Sequence, residues 1–237
     1  MIETNFAKIM SLMGAALWPM VKACLKITIP LSIIAFVVGI VFALIIALMR
    51  LSNIKLLSGF AKLYVWIIRG TPLLVLLFII FYGLPTIGIV MSPFASACVG
   101  LVMSQAAYNS EVIRAAISAV PKGQWEAAHV LGISKWQTLK HIVIPQAALI
   151  AVPSVSNYFI SLTKDTSLCA VLTVREMFQV ARQMVATNFQ PLWMYIEVGA
   201  LYLVLSTVLT FLQGKMERNL GKHNAAVAAM AKTPKAN

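Results

Sequence analysis

Long runs without a charged residue are the feature that most restricts what this chain can fold into. Residues 27–49 form one such run of 23 residues. As an α-helix this run is roughly 34 Å long, which suffices to cross a hydrocarbon core of about 30 Å. Of the 237 residues, 60% are hydrophobic and only 11% are charged. Because soluble domains contain about 25% charged residues, this composition excludes a soluble globular domain and a disordered chain and predicts a membrane protein.

Three further stretches predict four more crossings. Residues 70–110 contain no charge over 41 residues, about twice the length that one crossing needs, and Gly83, Pro85 and Pro93 interrupt them. We therefore predict two helices joined by a short hairpin in this region. The predicted fold class is all-α integral membrane, with about five transmembrane helices over residues 27–49, 63–84, 94–112, 142–163 and 192–214.

The basic residues predict the orientation of these helices, because cytoplasmic loops carry an excess of Lys and Arg. On one side of the membrane, the connections hold four, four and five basic residues, in residues 50–69, 114–140 and 215–237. On the other side the numbers are three, none and three, in residues 1–26, 85–93 and 164–190. The net charge of +12 therefore indicates topology rather than nucleic-acid binding, with the N-terminus outside and the C-terminus in the cytoplasm.

The two ends of the chain lie outside the predicted spans. Residues 1–26 are predicted to form an extracytoplasmic or interfacial segment, because their apolar stretch at 9–21 is too short to cross and lacks the basic start and cleavage site of a signal peptide. Residues 215–237 are predicted to form a cytoplasmic tail that is disordered from residue 223 onwards.

Between the third and fourth spans, residues 114–141 have the pattern of two short amphipathic helices. Pro121 suits the first turn of a helix, and Gly132 suits its end because glycine readily adopts a positive φ. Ser134 and Gln137 have the spacing of a capping box that starts a second helix. The apolar residues predicted on one side of the first helix are Trp125, Ala128 and Leu131. Such a surface in the cytoplasm predicts a binding partner.

The residues of this loop resemble the EAA loop of the membrane permeases of ATP-binding-cassette (ABC) importers, with the pattern EAA, three residues, G, nine residues, I-x-L-P. The matching residues are Glu126, Ala127, Ala128, Gly132, Ile142 and Pro145. Ile144 stands where the pattern has Leu, which is a conservative difference. Residues 69–72 and 164–168 look like stretches of the polar amino-acid branch of these importers, whose substrates include His, Gln, Arg and cystine.

This resemblance implies a type I ABC importer permease fold, with residues 27–214 as one permease domain in a bacterial inner membrane. It also implies that the loop is a coupling helix that docks on a cytoplasmic ABC ATPase dimer. The implied coupling residues are Glu126, Ala127, Ala128, Gly132 and Pro145. Other implied partners are an extracytoplasmic amino-acid-binding protein and a second permease chain, in a homodimer or a heterodimer. The alternative for Glu126 is a simple ion pair with Lys122.

No motif for catalysis, a cofactor or a metal is found in the sequence. It contains no GxxxxGK[ST], so ATP is expected to bind to the partner subunit and not to this chain. It also contains no HExxH and no GxSxG, which disfavours an intramembrane enzyme; a stand-alone channel is the other alternative class. Cys24, Cys98 and Cys169 lack CxxC spacing, which predicts neither a metal site nor a disulfide framework.

Polar residues of the fourth span are candidates for a substrate path, because polar groups within a span are costly. Ser154, Asn157 and Ser161 share one helix face, and hydrogen bonding between helices is the open alternative. At the outer end, Asp165 is a candidate for the substrate amino group, with ion pairing to Lys164 or an N-cap role at Thr166 as alternatives. The candidate path residues are Ser154, Asn157, Tyr158, Ser161, Asp165 and Thr166.

The resemblance also bears on the substrate. Family members for basic amino acids often carry Glu where Tyr158 stands, which argues against a strictly cationic substrate. Residues 164–182 look most like cystine-type permeases.

Three residues at the start of the second span, Arg69, Gly70 and Pro72, are candidates for a gating hinge. The alternative is that Arg69 anchors the helix at the cytoplasmic headgroups.

Glu197, in the fifth span, is predicted either to mark a functional site or to pair with a base such as Arg182. In the third span, Gln105, Tyr108 and Asn109 are candidates for the path or for contacts between helices.

Overall fold

A computed structural model gives the backbone of residues 2–232 and the side chains of residues 7–219. Within that part of the chain the structure is built of α-helices, some of which are joined by π or 3₁₀ turns. The helices are α1 (Ile2–Ala23), α2 (Ile29–Leu51), α3 (Lys55–Gly70), α4 (Leu73–Phe78), α5 (Pro93–Ala119), α6 (Lys122–Val130), α7 (Lys135–Thr138), α8 (Ile144–Asp165), α9 (Met177–Asn188) and α10 (Pro191–Lys232).

Three helical stretches, Ala7–Leu51, Lys135–Leu172 and Pro191–Asn219, are long and apolar enough to cross a membrane, and the bent pair Lys55–Gly70 and Leu73–Ile87 adds a fourth if it counts as one span. The helix α5 has 27 residues, roughly 40 Å, but it does not belong to that set. It packs against α2, α3, α4 and α8 rather than facing lipid on every side, so it accommodates buried polar residues. The prediction of about five crossings, their orientation and the bounds of the permease domain stay predictions.

The helix α1 is continuous with α2 through a π turn at Cys24–Thr28. The apolar stretch 9–21 is therefore helical and joined to α2, and its position outside the membrane or at its interface stays a prediction. Its apolar face is covered by α9 and α10. The buried residues of this cluster are Ala16, Met20, Ala23, Met177, Val180, Ala181, Met194 and Val198.

The core of the molecule lies where α5 packs closely against α2 and α4. Its buried residues include Leu31, Ala35, Leu77, Ala97, Leu101 and Leu162. Gly39 on α2 permits this approach, because a Cβ atom at that position would lie 2.8 Å from the Cβ atom of Gln105 on α5. Neither atom can move away by rotation of a side chain, so the backbones themselves set the contact.

Replacing Gly39 with Ala is expected to lower the free energy of unfolding by about 1–3 kcal/mol, the range measured for overpacked cores. Thermal unfolding of the purified protein in detergent checks this expectation. The matched control is Gly59→Ala, since Gly59 on α3 has no heavy atom within 4 Å of an added Cβ. A Gly39→Ala protein as stable as the Gly59→Ala protein would show that α2 and α5 are not in tight contact.

The second predicted span, 63–84, is not one straight helix. α3 begins earlier, at Lys55, and the chain turns by 104° between Lys55–Gly70 and Leu73–Ile87. Proline disfavours the helical region for the residue before it, and at this turn Thr71 is extended, with φ −104° and ψ 132°. The Thr71 hydroxyl donates a hydrogen bond to the carbonyl of Ile67, one of the last carbonyl groups of α3, which lack partners within the helix. We call this turn, Gly70 to Pro72, the elbow.

The predicted loop 114–141 is more helical than expected. α5 continues to Ala119, and α7 runs through a π turn, Leu139–Val143, directly into α8. The second amphipathic helix and the fourth span therefore form one continuous helical stretch, Lys135–Leu172. Its π turn lies just before Pro145, whose ring would clash with the preceding turn of a regular α-helix.

The predicted disordered tail is also revised. α10 continues to Lys232, in keeping with the strong helix propensity of the alanines in this stretch, so disorder from residue 223 onwards is wrong up to residue 232. Residues 233–237 of that prediction lie outside the described residues.

Candidate functional site

The predicted pair of short helices with a glycine between them is present as α6 and α7. Gly132 has a φ of +72°, and it closes α6 with the two hydrogen bonds of a Schellman motif, from Gly132 N–H to the carbonyl of His129 and from Ile133 N–H to the carbonyl of Ala128. The capping box at α7 is also formed, with the Ser134 hydroxyl accepting from the backbone of Gln137. Since an added Cβ at Gly132 would meet nothing within 4 Å, the positive φ alone accounts for glycine here.

The outer surface of this α6–α7 hairpin combines one carboxylate with bare apolar side chains. Glu126 and Ala127 are exposed, whereas Ala128 is buried against the rest of the protein. Trp125 packs inward, but Leu131, predicted on the same side, is 75% exposed because it lies where α6 ends. The exposed apolar residues of the hairpin are Val130, Leu131 and Trp136. Pro145 is exposed at the base of α8.

Glu126 is not paired with Lys122. Among the side chains of residues 7–219, the ion pairs all involve Glu111. The carboxylate of Glu126 is therefore open to solvent, next to apolar residues that the described part of the chain does not cover. This combination suits a partner with a basic group beside an apolar groove.

Three arginines converge on the single carboxylate of Glu111. Arg50, at the end of α2, is ion-paired with Oε1, and Arg114 donates to Oε2 at 3.1 Å. Arg69, at the elbow, places Nη1 at 3.9 Å from Oε1. The cluster carries three positive charges and one negative charge. Sequence reasoning named Arg69, but it had no signal for the approach of Arg50 and Arg69 to Glu111.

A cavity of about 270 Å³ lies against the elbow. It is lined by Ile68, Arg69, Gly70, Thr71, Pro72, Leu73, Leu76, Ser104 and Tyr108. The guanidinium carbon of Arg69 lies 5.2 Å from the centre of the Tyr108 ring, within the range of a cation–π contact. Arg69 is thus directed to Glu111 and Tyr108, and its role as a hinge residue or a headgroup anchor stays a prediction.

The elbow cavity adjoins the polar face of α8 through a pair of tyrosines. The ring centres of Tyr108 and Tyr158 are 5.7 Å apart. On that face Ser154 is exposed, while the side chain of Asn157 accepts a hydrogen bond from Gln213 on α10 at 3.1 Å. Ser161 is half-buried. The face therefore contains both an open polar surface and a hydrogen bond between helices.

The outer end of α8 holds the remaining candidates for the path. Asp165 is half-buried and is not ion-paired with Lys164, since the ion pairs among the described side chains all involve Glu111. Asp165 also makes no side-chain cap to the turn that follows. Thr166 is fully buried and donates to the carbonyl of Thr163 at 2.8 Å, so its hydroxyl already has a partner.

Glu176 is a buried carboxylate that sequence reasoning missed. It caps α9 by accepting from the backbone N–H groups of Phe178 and Gln179, at 2.8 Å and 2.6 Å, and the Tyr202 hydroxyl donates to it at 2.7 Å. Burial raises the pKa of Glu176 to about 7, although these hydrogen bonds favour the charged form. Because Glu is not among the residues favoured at the N-cap, no local pattern marked this position.

The stability of the protein is expected to depend on pH through Glu176. Its folded-state pKa is about 7 against 4.5 for the ordinary group, so this stability is fully present below pH 4.5 and is lost as the pH rises through 7. The amount is on the order of 3 kcal/mol. The melting temperature of the wild type should fall between pH 5 and pH 8 more than that of Glu176→Gln, which does not titrate. Parallel pH profiles of the two proteins would contradict the assignment.

Glu197 is 7% exposed on α10, and its Oε2 has no hydrogen-bond partner among the described residues. The predicted partner Arg182 instead donates to the carbonyl of Ala170 and to the side chain of Gln179. Pairing of Glu197 with Arg182 is therefore wrong.

In the third span, Gln105 and Asn109 are buried. The side-chain amide of Asn109 donates a hydrogen bond to the side-chain oxygen of Gln105 at 2.9 Å, which makes them a contact within α5.

Comparison with known proteins places this geometry in context. Residues 39–222 match the family described as binding-protein-dependent transport system inner membrane components. The chain is 42% identical over 215 residues to the L-cystine transport system permease protein TcyB of Bacillus subtilis, a match that covers 90% of this chain and 92% of that protein. It is 30% identical over 211 residues to the glutamine transport system permease protein GlnP of Escherichia coli, covering 87% of this chain and 96% of that protein.

Solved structures are similar over nearly the whole chain. One is an amino acid ABC transporter crystallised with histidines, with a TM-score of 0.78, 31% identity, and coverage of 91% of this chain and 97% of that chain. Another is the MetNI methionine ABC transporter in an inward-facing conformation, with a TM-score of 0.67, 19% identity, and coverage of 90% and 98%. At 19% identity the second likeness shows the fold alone.

Proposed function

The chain belongs to the family of binding-protein-dependent transport system inner membrane components, and on this basis we propose that it is the permease subunit of an ABC importer for polar amino acids, with cystine as the first candidate substrate. The single observation that carries the proposal is the exposed α6–α7 hairpin, which presents Glu126 beside uncovered apolar residues. A stand-alone channel would not need such a surface.

The hairpin is the proposed docking site for a separate ATPase. Glu126 offers a charge to a basic group, Ala127 permits a close approach, and the Schellman motif at Gly132 fixes the angle between α6 and α7. Because α7 continues into α8 as one helical stretch, Lys135–Leu172, a displacement of the hairpin moves a helix of the membrane domain directly. Pro145 lies on that stretch, at the start of α8.

The proposed path for the substrate runs along α8. It combines Ser154, Tyr158 and Ser161 with Asp165 at the outer end, where the free carboxylate suits the amino group of an amino acid. The elbow residues Arg69, Gly70 and Pro72 are the proposed hinge, because the chain already bends by 104° there. Support for cystine comes from the relative TcyB, a permease of an L-cystine transport system, at 42% identity.

The assembly proposed is two permease chains, two ATPase subunits and an extracytoplasmic amino-acid-binding protein, with the N-terminus of this chain outside. The chain supplies half of the path, and ATP is bound by the partner subunits. In this arrangement the binding protein delivers the amino acid when ATP closes the ATPase dimer.

Reconstitution tests the proposal. The chain is coexpressed with an ABC ATPase and an amino-acid-binding protein of the same organism, purified, and placed in proteoliposomes. We expect the ATPase to copurify and labelled cystine to accumulate only with ATP, the binding protein and the ATPase all present, while glutamine and arginine are measured in parallel. Uptake without ATP would establish a channel, and accumulation of a different amino acid would correct the substrate.

A further inference from the structure

A cavity of about 680 Å³ lies between the α6–α7 hairpin and the ends of α2, α3 and α5. We call it the hairpin cavity. Trp125 and Trp136 form its wall on the hairpin side, and Ser52, Ser118 and Lys122 also line it. Tryptophan is enriched at the level of the lipid headgroups, and lysine extends its ammonium group to the same level. The lining of the hairpin cavity therefore suits the headgroup layer of a membrane.

A second cavity, of about 670 Å³, adjoins the first, since Ile45 and Met49 line both. We call it the apolar groove. It runs along α2 from Ile34 to Met49, between α2, α3 and α5, within the first predicted span. Its one hydroxyl group, on Tyr64, already donates a hydrogen bond to the carbonyl of Met103 at 2.8 Å. The groove therefore presents apolar surface to a ligand.

The dimensions of the apolar groove favour a lipid chain over a helix. From Ile34 to Met49 it is roughly 22 Å long, which exceeds the depth of about 15 Å of one hydrocarbon leaflet. Divided over this length, the volume of about 670 Å³ leaves a cross-section of about 30 Å². A helix with its side chains is about 10 Å wide and needs about 80 Å². An acyl chain, one methylene group wide, fits where a helix of another chain does not.

The headgroup decides which lipid is preferred, because every acyl chain is as apolar as the groove and the surrounding bilayer. Lys122 is not ion-paired among the side chains of residues 7–219, since the ion pairs there all involve Glu111. The predicted cytoplasmic connections 50–69 and 114–140, which border the hairpin cavity, hold four basic residues each and a single acidic residue, Glu126. Basic pockets between membrane helices on the cytoplasmic side bind anionic headgroups.

We propose that the hairpin cavity and the apolar groove together bind one anionic phospholipid, with an acyl chain in the groove and the phosphate next to Lys122. The hydroxyls of Ser52 and Ser118 line the same cavity and can donate to phosphate oxygens. Trp125 and Trp136 supply apolar contact to the glycerol backbone. The lipid then fills the space between the hairpin and the ends of α2 and α3. This inference depends neither on the amino acid carried nor on ATP, so it can fail separately from the proposed function.

Native mass spectrometry of the full chain, purified in detergent, tests the headgroup contact. The probes are phosphatidylglycerol, which is anionic, and phosphatidylcholine with the same chains, which is zwitterionic. At equal concentrations the wild type should retain phosphatidylglycerol about fivefold more, the preference that one basic residue gives. Lys122→Gln should lose this preference. The matched control, Lys62→Gln, removes an exposed lysine of α3 that lines neither cavity and should keep the preference.

The acyl-chain contact is tested by filling the groove. Val38→Trp places a large side chain in the groove and should lower retention of both lipids at least fivefold. The matched control is Val37→Trp, which alters the neighbouring residue, 56% exposed and outside the groove, and should leave retention unchanged. Glycerol phosphate, the headgroup without chains, should not compete with the lipid.

Tryptophan fluorescence gives a reading that does not require the Val38→Trp protein to fold. The wild type is placed in phosphatidylcholine nanodiscs that contain a minor fraction of a lipid brominated on its chains. Brominated phosphatidylglycerol should quench the fluorescence more than the same fraction of brominated phosphatidylcholine. Joint replacement of Trp125 and Trp136 with Phe should remove the difference, because these two side chains line the hairpin cavity.

Three results would overturn the inference. The first is equal retention of the two lipids by the wild type, or equal retention of phosphatidylglycerol by Lys122→Gln and Lys62→Gln. The second is competition by glycerol phosphate, which would reduce the site to one for a free anion. The third is a dimer of the chain that Val38→Trp disrupts and Val37→Trp does not, which would assign the groove to an interface between two copies.

Discussion

Replacing Glu126 with Lys is expected to abolish ATP-driven uptake while leaving the protein folded in the membrane. The carboxylate is exposed and unpaired within the described part of the chain, so its loss costs the permease itself little. At an interface, truncating one partner of a buried charge pair costs about 2–5 kcal/mol, and reversal of the charge adds repulsion. Binding of the ATPase should therefore weaken at least about 30-fold.

Copurification of the ATPase and ATP hydrolysis stimulated by the binding protein measure this effect. The matched control is Asn53→Lys, which adds a lysine at an exposed position outside the α6–α7 hairpin. We expect the control to couple normally. Normal coupled hydrolysis by Glu126→Lys would exclude the α6–α7 hairpin as the docking site.

Removing the charge of Glu111 is expected to destabilise the protein strongly. Glu111→Gln leaves Arg50, Arg69 and Arg114 close together without a carboxylate between them. Breaking a buried ion pair by removal of one partner costs about 3–5 kcal/mol. Glu111 is 21% exposed, so water offsets part of this and we expect a loss near about 3 kcal/mol. The melting temperature in detergent should fall by several degrees, and the drop should grow at low ionic strength.

Glu126→Gln makes the same chemical change at an exposed carboxylate and should leave the melting temperature unchanged. A second replacement, Arg114→Gln in the Glu111→Gln background, should restore part of the lost stability because it removes one repelling charge. Equal melting temperatures for Glu111→Gln and the wild type would mean that solvent, and not Glu111, balances the three arginines.

Local sequence patterns predicted the α6–α7 hairpin because its determinants are local. A capping box spans four residues, Ser134 to Gln137, and a Schellman motif closes within one turn around Gly132. A bend at Gly70 and Pro72 was also within reach, because the residue before a proline is biased away from the helical region. Ile144 precedes Pro145 and stays helical, so the packing of the helices decides where this bias prevails. The bend is present as predicted, and its role as a hinge stays a proposal.

The limits of the helices were less predictable, for a physical reason. A charge ends an uncharged run, but it does not end a helix: α5 passes through Glu111 and Arg114, and α3 begins at Lys55. Ion pairs with neighbouring helices permit charged residues inside α5, and these pairs join Arg50 and Arg69 with Glu111, which lies 61 and 42 residues further along the chain. No local pattern reports such contacts. The capping and the burial of Glu176 were both missed, because Glu is not a favoured N-cap residue and its burial depends on the packing of distant helices.

The sequence by itself determined that this chain needs a bilayer, because runs such as residues 27–49 can satisfy their backbone hydrogen bonds within a helix and are too apolar for water. It also determined the hairpin, whose hydrogen bonds lie within a few residues of each other. Only the tertiary structure decided that one carboxylate, Glu111, gathers three arginines and that Arg69 faces a cavity. Electrostatic balance depends on distances across the fold, and residues far apart in the chain acquire those distances only when the helices pack.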